Sequence, residues 1–252
     1  MDTAIAKTGH LIVSRNQWLA ARKALLSREK ELTHLRDQIA AERRALPWAR
    51  LEKNYLFETP DGRKPLADLF DGRRQLLVQH FMLAPGAEQG CKSCSYMADH
   101  TDATLAHLAA RDTSFVAISR APLAEIERFK NRMGWKFRWV SSHGTDFNRD
   151  FHVTFTPEEI ASGTADYNFG GSTKGGEMPG VSAFWKDDAG EVFHTYSTFG
   201  RGVEVMMHTY NLLDLTAKGR DEDGLDFTMA WVRHHDRYEH QPAAKSCCGG
   251  GA

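Results

Sequence analysis

The 252-residue chain is 41% apolar and 26% charged, enough to bury a core without staples, and its four cysteines are too few for a disulfide scaffold. With 32 basic against 33 acidic side chains the net charge is -1, which removes the electrostatic footprint of a nucleic-acid or membrane-surface binder. The opening "MDTAIAKTGHLIVSRNQWLA" lacks the basic-then-apolar order of a secretory signal, and no apolar run reaches the ~18 residues of a membrane span. The expected compartment is a reducing cytoplasm, where a close cysteine pair is catalytic or metal-binding rather than a permanent disulfide.

In chain order, Ser14 and Gln17 fit a capping box at the head of a helix and Pro47 marks its end. Trp18, Leu25, Leu32, Ile39 and Leu46 recur every seven residues along it, an apolar stripe that fits either packing on the protein's own surface or homodimerisation. "NYLFETPDGRKPL" reads as a strand and a turn, and "RQLLVQHFML" as a buried strand. Cys91 and Cys94 follow. Met97, Leu105 and Leu108 then predict a helix from 94 to about 110, before the strand "TSFVAIS". Pro122 and Gly134 delimit another helix, and "FRWVSS" is the next strand.

Thr156, Pro157 and Glu159 start a further helix, followed by a Gly-rich insertion over 162–180 that reads either as a lid or as a surface excursion. "VSAFW" and "EVFHTYS" form a hairpin, and a closing helix ends at Gly219. The expected organisation is a helical extension over 1–50, an α/β domain over 51–220 and a polar, mobile tail over 221–252. The strand–helix alternation argues for a largely parallel sheet covered by helices on both faces, made mixed by the hairpin.

The pair Cys91-x-x-Cys94 admits three readings from its residues: a redox dithiol, half of a zinc site, or two small core residues. A zinc site would complete its set from Cys247 and Cys248, or from His234, His235 and His240. The redox reading leads, because a cysteine at a helix start meets unpaired N–H groups and the positive end of the dipole, which favour the thiolate. Cys94, one turn further on, is placed to attack a mixed disulfide formed at Cys91. Lys92 adds positive potential, and Asp99 and His100 are candidate proton carriers. Arg120 follows a strand end, where ligands tend to bind, but also reads as a surface side chain. Trp135, Trp139 and Trp185 read mainly as core.

Strand, C-x-x-C, helix, strand, helix, hairpin and closing helix, in this order, resemble the thioredoxin superfamily. "FRWVSSHGTDFNRDFHV" resembles the extra strand and short helix of its peroxiredoxin-like branch. "GCKSCSYMADH", "RDTSFVAISRAPLAEIERFKNRMGW" and "SSHGTDFNRDF" are similar to a bacterial family known only as a domain of unknown function, over about residues 10 to 220. The resemblance implies a thioredoxin-like fold and a cis Pro179 facing the cysteines, where the residues alone equally allow an ordinary trans loop proline. Met178 would then turn its backbone to substrate.

Two positions depart from the pattern. Glu88 stands where peroxiredoxins carry a threonine, which argues against peroxidase activity, and Gly90 replaces thioredoxin's tryptophan. The expected function is dithiol–disulfide exchange with a protein or small-molecule thiol partner, without an organic cofactor. The alternative is a metal- or metalloid-binding module that adds Cys247 and Cys248 to the pair.

Overall fold

In the computed structural model, residues 4–5 and 9–238 are described. The chain divides into two compact units, one ending at Pro47 and one beginning at Trp48. In the first, strands β1 (Ala4–Ile5) and β2 (Leu11–Ile12) pair antiparallel. Helix α1 runs Arg15–Ala45 from the expected capping box, with Ser14 Oγ accepting from Gln17 N and the Gln17 side chain accepting from Ser14 N. No helix among the described residues is long and apolar enough to cross a membrane.

The second unit is built on one eight-stranded sheet. Its strands are β3 (Ala49–Arg50), β4 (Leu56–Thr59), β5 (Gly62–Pro65), β6 (Gln75–His80), β7 (Thr113–Ser119), β8 (Arg138–Ser141), β9 (Gly180–Lys186) and β10 (Val192–Phe199), in the spatial order β3-β10-β9-β6-β7-β8-β4-β5. Among the described residues parallel pairing is confined to β6–β7 and β7–β8, and every other pairing is antiparallel. The sheet is therefore mixed, and less parallel than the strand–helix alternation implies, because hairpins need only short turns while parallel crossovers need helices.

Alternation along the central strands separates two cores. Val116 and Ile118 of β7 face Phe57, Leu76, Val78 and Phe147, whereas Phe115 and Ala117 face Phe81, Phe129 and Trp139. The first core is covered by the turn Leu66–Phe70 and the short helix α5 (Phe147–Asp150). The second is covered by α2 (Lys92–Ala98), α3 (Leu105–Ala109) and α4 (Leu123–Met133). Helix α6 (Pro157–Ser162) begins at the expected Thr156–Glu159 capping box, and α7 (His208–Leu213) follows β10.

Three expectations change. The helix over 94–110 is broken: α2 stops at Ala98, and a 3-10 turn over Asp102–Thr104 precedes α3. Short polar side chains cause the break by bonding elsewhere. Asp102 accepts from the backbone N–H groups of Lys136 and Phe137, both at 2.8 Å, and Asp99 accepts from Trp135 Nε1 at 2.8 Å. The closing helix is likewise a 3-10 stretch, Gly200–Met206, and the six-residue α7, with Gly219 in a later turn at φ +61°.

The third change is the largest. Residues 221–238 belong to the α/β unit rather than to a loose tail, because Val232 and His234 are buried in it. His240, Cys247 and Cys248 lie outside the described residues.

Candidate active site

Strand β6 ends at His80, and the chain returns to it before α2: Cys91 N donates to Met82 O at 3.0 Å. This places Cys91 at the N-cap of α2 with extended backbone, φ -58° and ψ 135°, while its carbonyl accepts from Ser95 N and Ser95 Oγ. Cys91 is half-buried and Cys94 is 1% exposed; both are free thiols. Below them, the buried Gln79 of β6 donates from Nε2 to the Cys94 carbonyl at 3.1 Å, tying the first turn of the helix to the sheet.

The two sulfurs form one unit. The Cys94 thiol donates to the Cys91 sulfur, and this bond, aided by the N–H groups of Cys94 and Ser93 and the Ser93 hydroxyl, holds the Cys91 thiol down to about 6 against the opposing effect of burial. Cys94 moves the opposite way. Its bond to Cys91, burial and the negative charges of Cys91 and Glu177 push it well above the ordinary thiol range. Ionisation is thus favoured at the outer sulfur and opposed at the inner one.

Gly90 explains why no tryptophan precedes Cys91. A Cβ there would lie 2.6 Å from Phe81 and 2.8 Å from Phe129, so two core rings already fill the space. The Gly90 carbonyl accepts from Nε2 of the buried His234 at 2.9 Å, and His234 Nδ1 takes a weak bond from Arg132 at 3.4 Å. Glu88 is exposed in the preceding loop, and Lys92 is exposed on α2.

The remaining expected residues divide between the site and its scaffold. Pro179 lines a cavity with Met82, Ser93 and Cys94, but the described residues contain no cis peptide bond, so the cis proline expected from the resemblance is corrected to trans. Its carbonyl accepts from Tyr167 Oη at 2.7 Å. The Met178 N–H donates to Val153 O at 2.9 Å and its side chain packs with Val153, Tyr167 and Phe199. Asp99 and His100 bond neither sulfur. Asp99 holds Trp135 and His235, and His100 Nε2 accepts from Thr209. Trp135 and Trp139 are core, and Trp185 packs on Trp48 with ring centroids 5.6 Å apart.

Arg120 is not a free surface cation. Its Nε donates to Glu177 Oε1 at 2.6 Å, and Glu177 Oε2 accepts from Thr154 at 3.1 Å. Burial raises the Glu177 carboxyl above its usual range despite Arg120. Glu177, which bears on Cys94, sits in the Gly-rich insertion, whose irregular sequence gives no period from which to place it. Gln79 did leave a signal, as an amide interrupting the apolar run of a strand. Among the described residues no group of three or more His, Cys, Asp and Glu side chains is placed to hold a metal ion. His234 and His235 are instead engaged with Gly90 and Asp99.

A half-buried cysteine at the start of the helix that follows a central strand of a mixed sheet, with a buried cysteine in its first turn, marks a protein of thioredoxin-like fold. The chain belongs to a family of bacterial proteins of unknown function, DUF899, whose model matches residues 7–238. No protein of curated function matches it. Among solved structures it is similar to a cysteine-to-serine mutant of peroxiredoxin Q from Xanthomonas campestris, with 12% identity, TM-score 0.43, and 66% of this chain and 94% of that one covered. It is also similar to the peroxidoxin BcpB of Mycobacterium tuberculosis, with 14% identity, TM-score 0.41, and coverage of 64% and 93%. A third similarity is to the mitochondrial 2-Cys peroxiredoxin of Plasmodium falciparum, with 13% identity, TM-score 0.41, and coverage of 71% and 98%.

Proposed function

We propose that this protein is a dithiol–disulfide oxidoreductase in which Cys91 is the attacking thiolate and Cys94 the resolving thiol. The observation that carries the reading is the placement of a half-buried Cys91 at the N-cap of α2, with the buried Cys94 three residues on in the first turn of the same helix. The mutual influence of the two side chains lowers the Cys91 thiol and raises that of Cys94, which suits attack by the first and resolution by the second. Pro179 contributes as part of the cavity wall beside Cys94.

Trapping tests the reading. Reduced Cys94→Ser protein, exposed to a small aromatic disulfide, is expected to stop at a mixed disulfide mapped to Cys91 by mass spectrometry. Wild type is expected to continue to an internal Cys91–Cys94 disulfide. An unmodified Cys91 under these conditions would refute the assignment.

A further inference from the structure

The cavity lined by Ser93 and Cys94, in the helical turn that Cys91 caps, bears on what the pair acts upon. It holds about 630 Å³, within the ~300–1,000 Å³ range of small-molecule sites. Four of the chain's eight methionines, Met82, Met97, Met207 and Met229, line it next to Cys94. Unbranched thioethers adapt to an apolar body and favour aromatic rings. The charges around its mouth nearly cancel, three cations against the carboxylates of Glu204, Asp221, Glu222 and Asp223: Arg201 and Arg220 pair with Glu204, and Lys218 pairs with Asp221. Such a rim offers little attraction to a charged ligand.

The outer wall of this cavity is the segment 221–238, which supplies Glu222, Thr228 and Met229. It is fastened along its length. Glu222 Oε1 accepts from Tyr210 Oη, Met229 N and Trp231 Nε1 at 2.7, 2.9 and 2.6 Å. Further on, Val232 is fully buried, His234 holds the Gly90 carbonyl, and Asp236 receives both Nε and Nη2 of Arg132 at 2.9 Å. A polypeptide entering this cavity would have to displace the strap and expose its buried anchors. A small molecule would not.

Resting on the oxidoreductase reading above, we infer that the substrate is a small neutral disulfide with an apolar body, seated between α2 and the strap. The Cys91 thiolate attacks one sulfur of RSSR, forming a Cys91–SR mixed disulfide and releasing RS⁻, which takes the proton of Cys94. The Cys94 sulfur then attacks Cys91 and expels the second RS⁻, which is protonated by solvent. RSSR is reduced to two RSH, the two cysteines are oxidised to one disulfide, and an external dithiol such as dithiothreitol returns them to the reduced state.

The test uses full-length reduced protein carrying Cys247→Ser and Cys248→Ser, so that only the inner pair reports, with reductant removed. Dipyridyl disulfide is the neutral aromatic probe and insulin the polypeptide probe. The rate with dipyridyl disulfide is expected to saturate with concentration. Met229→Lys and Thr228→Trp, on the strap side, should each lower it at least about tenfold relative to the same variant's rate with iodoacetamide. Insulin is expected to leave the pair reduced. Oxidation of the pair by insulin overturns the inference, as does a dipyridyl disulfide rate that stays linear and unmoved by both variants. If neither disulfide oxidises the pair, the oxidoreductase reading itself falls.

Discussion

His234 Nε2 donates to the Gly90 carbonyl over 2.9 Å, and so joins the last described segment of the chain to the residue immediately before Cys91. The imidazole is buried, and burial lowers its pKa. It is therefore held neutral, with Nε2–H donating and Nδ1 accepting from Arg132. This one contact makes the strap part of the cysteine loop.

Loss of that contact should be costly. His234→Ala leaves a buried carbonyl without its donor and is expected to destabilise the protein by about 1–3 kcal/mol in urea unfolding. It should also hasten native-state proteolysis within 221–238. Asp236→Asn, which weakens only a part-exposed ion pair, should cost less than about 1 kcal/mol.

Gly90→Ala probes the space before the nucleophile. Its Cβ would press on Phe81 and Phe129 at 2.6 and 2.8 Å, an overpacking worth about 1–3 kcal/mol. The expected outcome is a lowered melting temperature, partly recovered by adding Phe129→Leu. An unchanged melting temperature would show that the rings yield freely.

How much of this was legible in the sequence follows from where each contact lies along the chain. Local chemistry was readable: the capping boxes at Ser14 and Thr156, the Gly134 helix stop with φ +69°, the hairpin turned by Asp187–Gly190, and Cys91 at the head of a helix. What failed depends on distant partners. Asp99 and Asp102 break the helix because Trp135, Lys136 and Phe137 are there to bond them. The stretch 221–238 looks like a polar tail because its anchors, Glu222, Val232 and His234, follow no period and find their partners in α2, α7 and the loop at Gly90. Pro179 and Met178 carried roles taken from the resemblance, and their bonds to Tyr167 and Val153, distant in sequence or hidden in an irregular segment, could not be read from local pattern.

Ionisation of Cys91 links the site to stability. Its thiol is held at about 6 in the fold, against 9.0 for an unperturbed thiol. Between these values the unfolded chain binds the proton that the folded one has released, so stability rises with pH through this window and the gain is lost as pH falls through the folded pKa. Cys94, pushed up, stays protonated there in both states. Reduced wild type should therefore gain about 2 kcal/mol over Cys91→Ser between about pH 6 and pH 8. Urea unfolding at the two pH values measures it, and parallel pH curves for the two proteins would contradict it.

The rate of iodoacetamide alkylation at Cys91 as a function of pH, followed by mass spectrometry on the reduced protein, tests the central claim most directly. The influence of the Cys94 side chain on Cys91 predicts a midpoint about 6, moving upward in Cys94→Ala where that side chain is gone. A wild-type midpoint near that of a free thiol, unmoved in Cys94→Ala, would contradict the account.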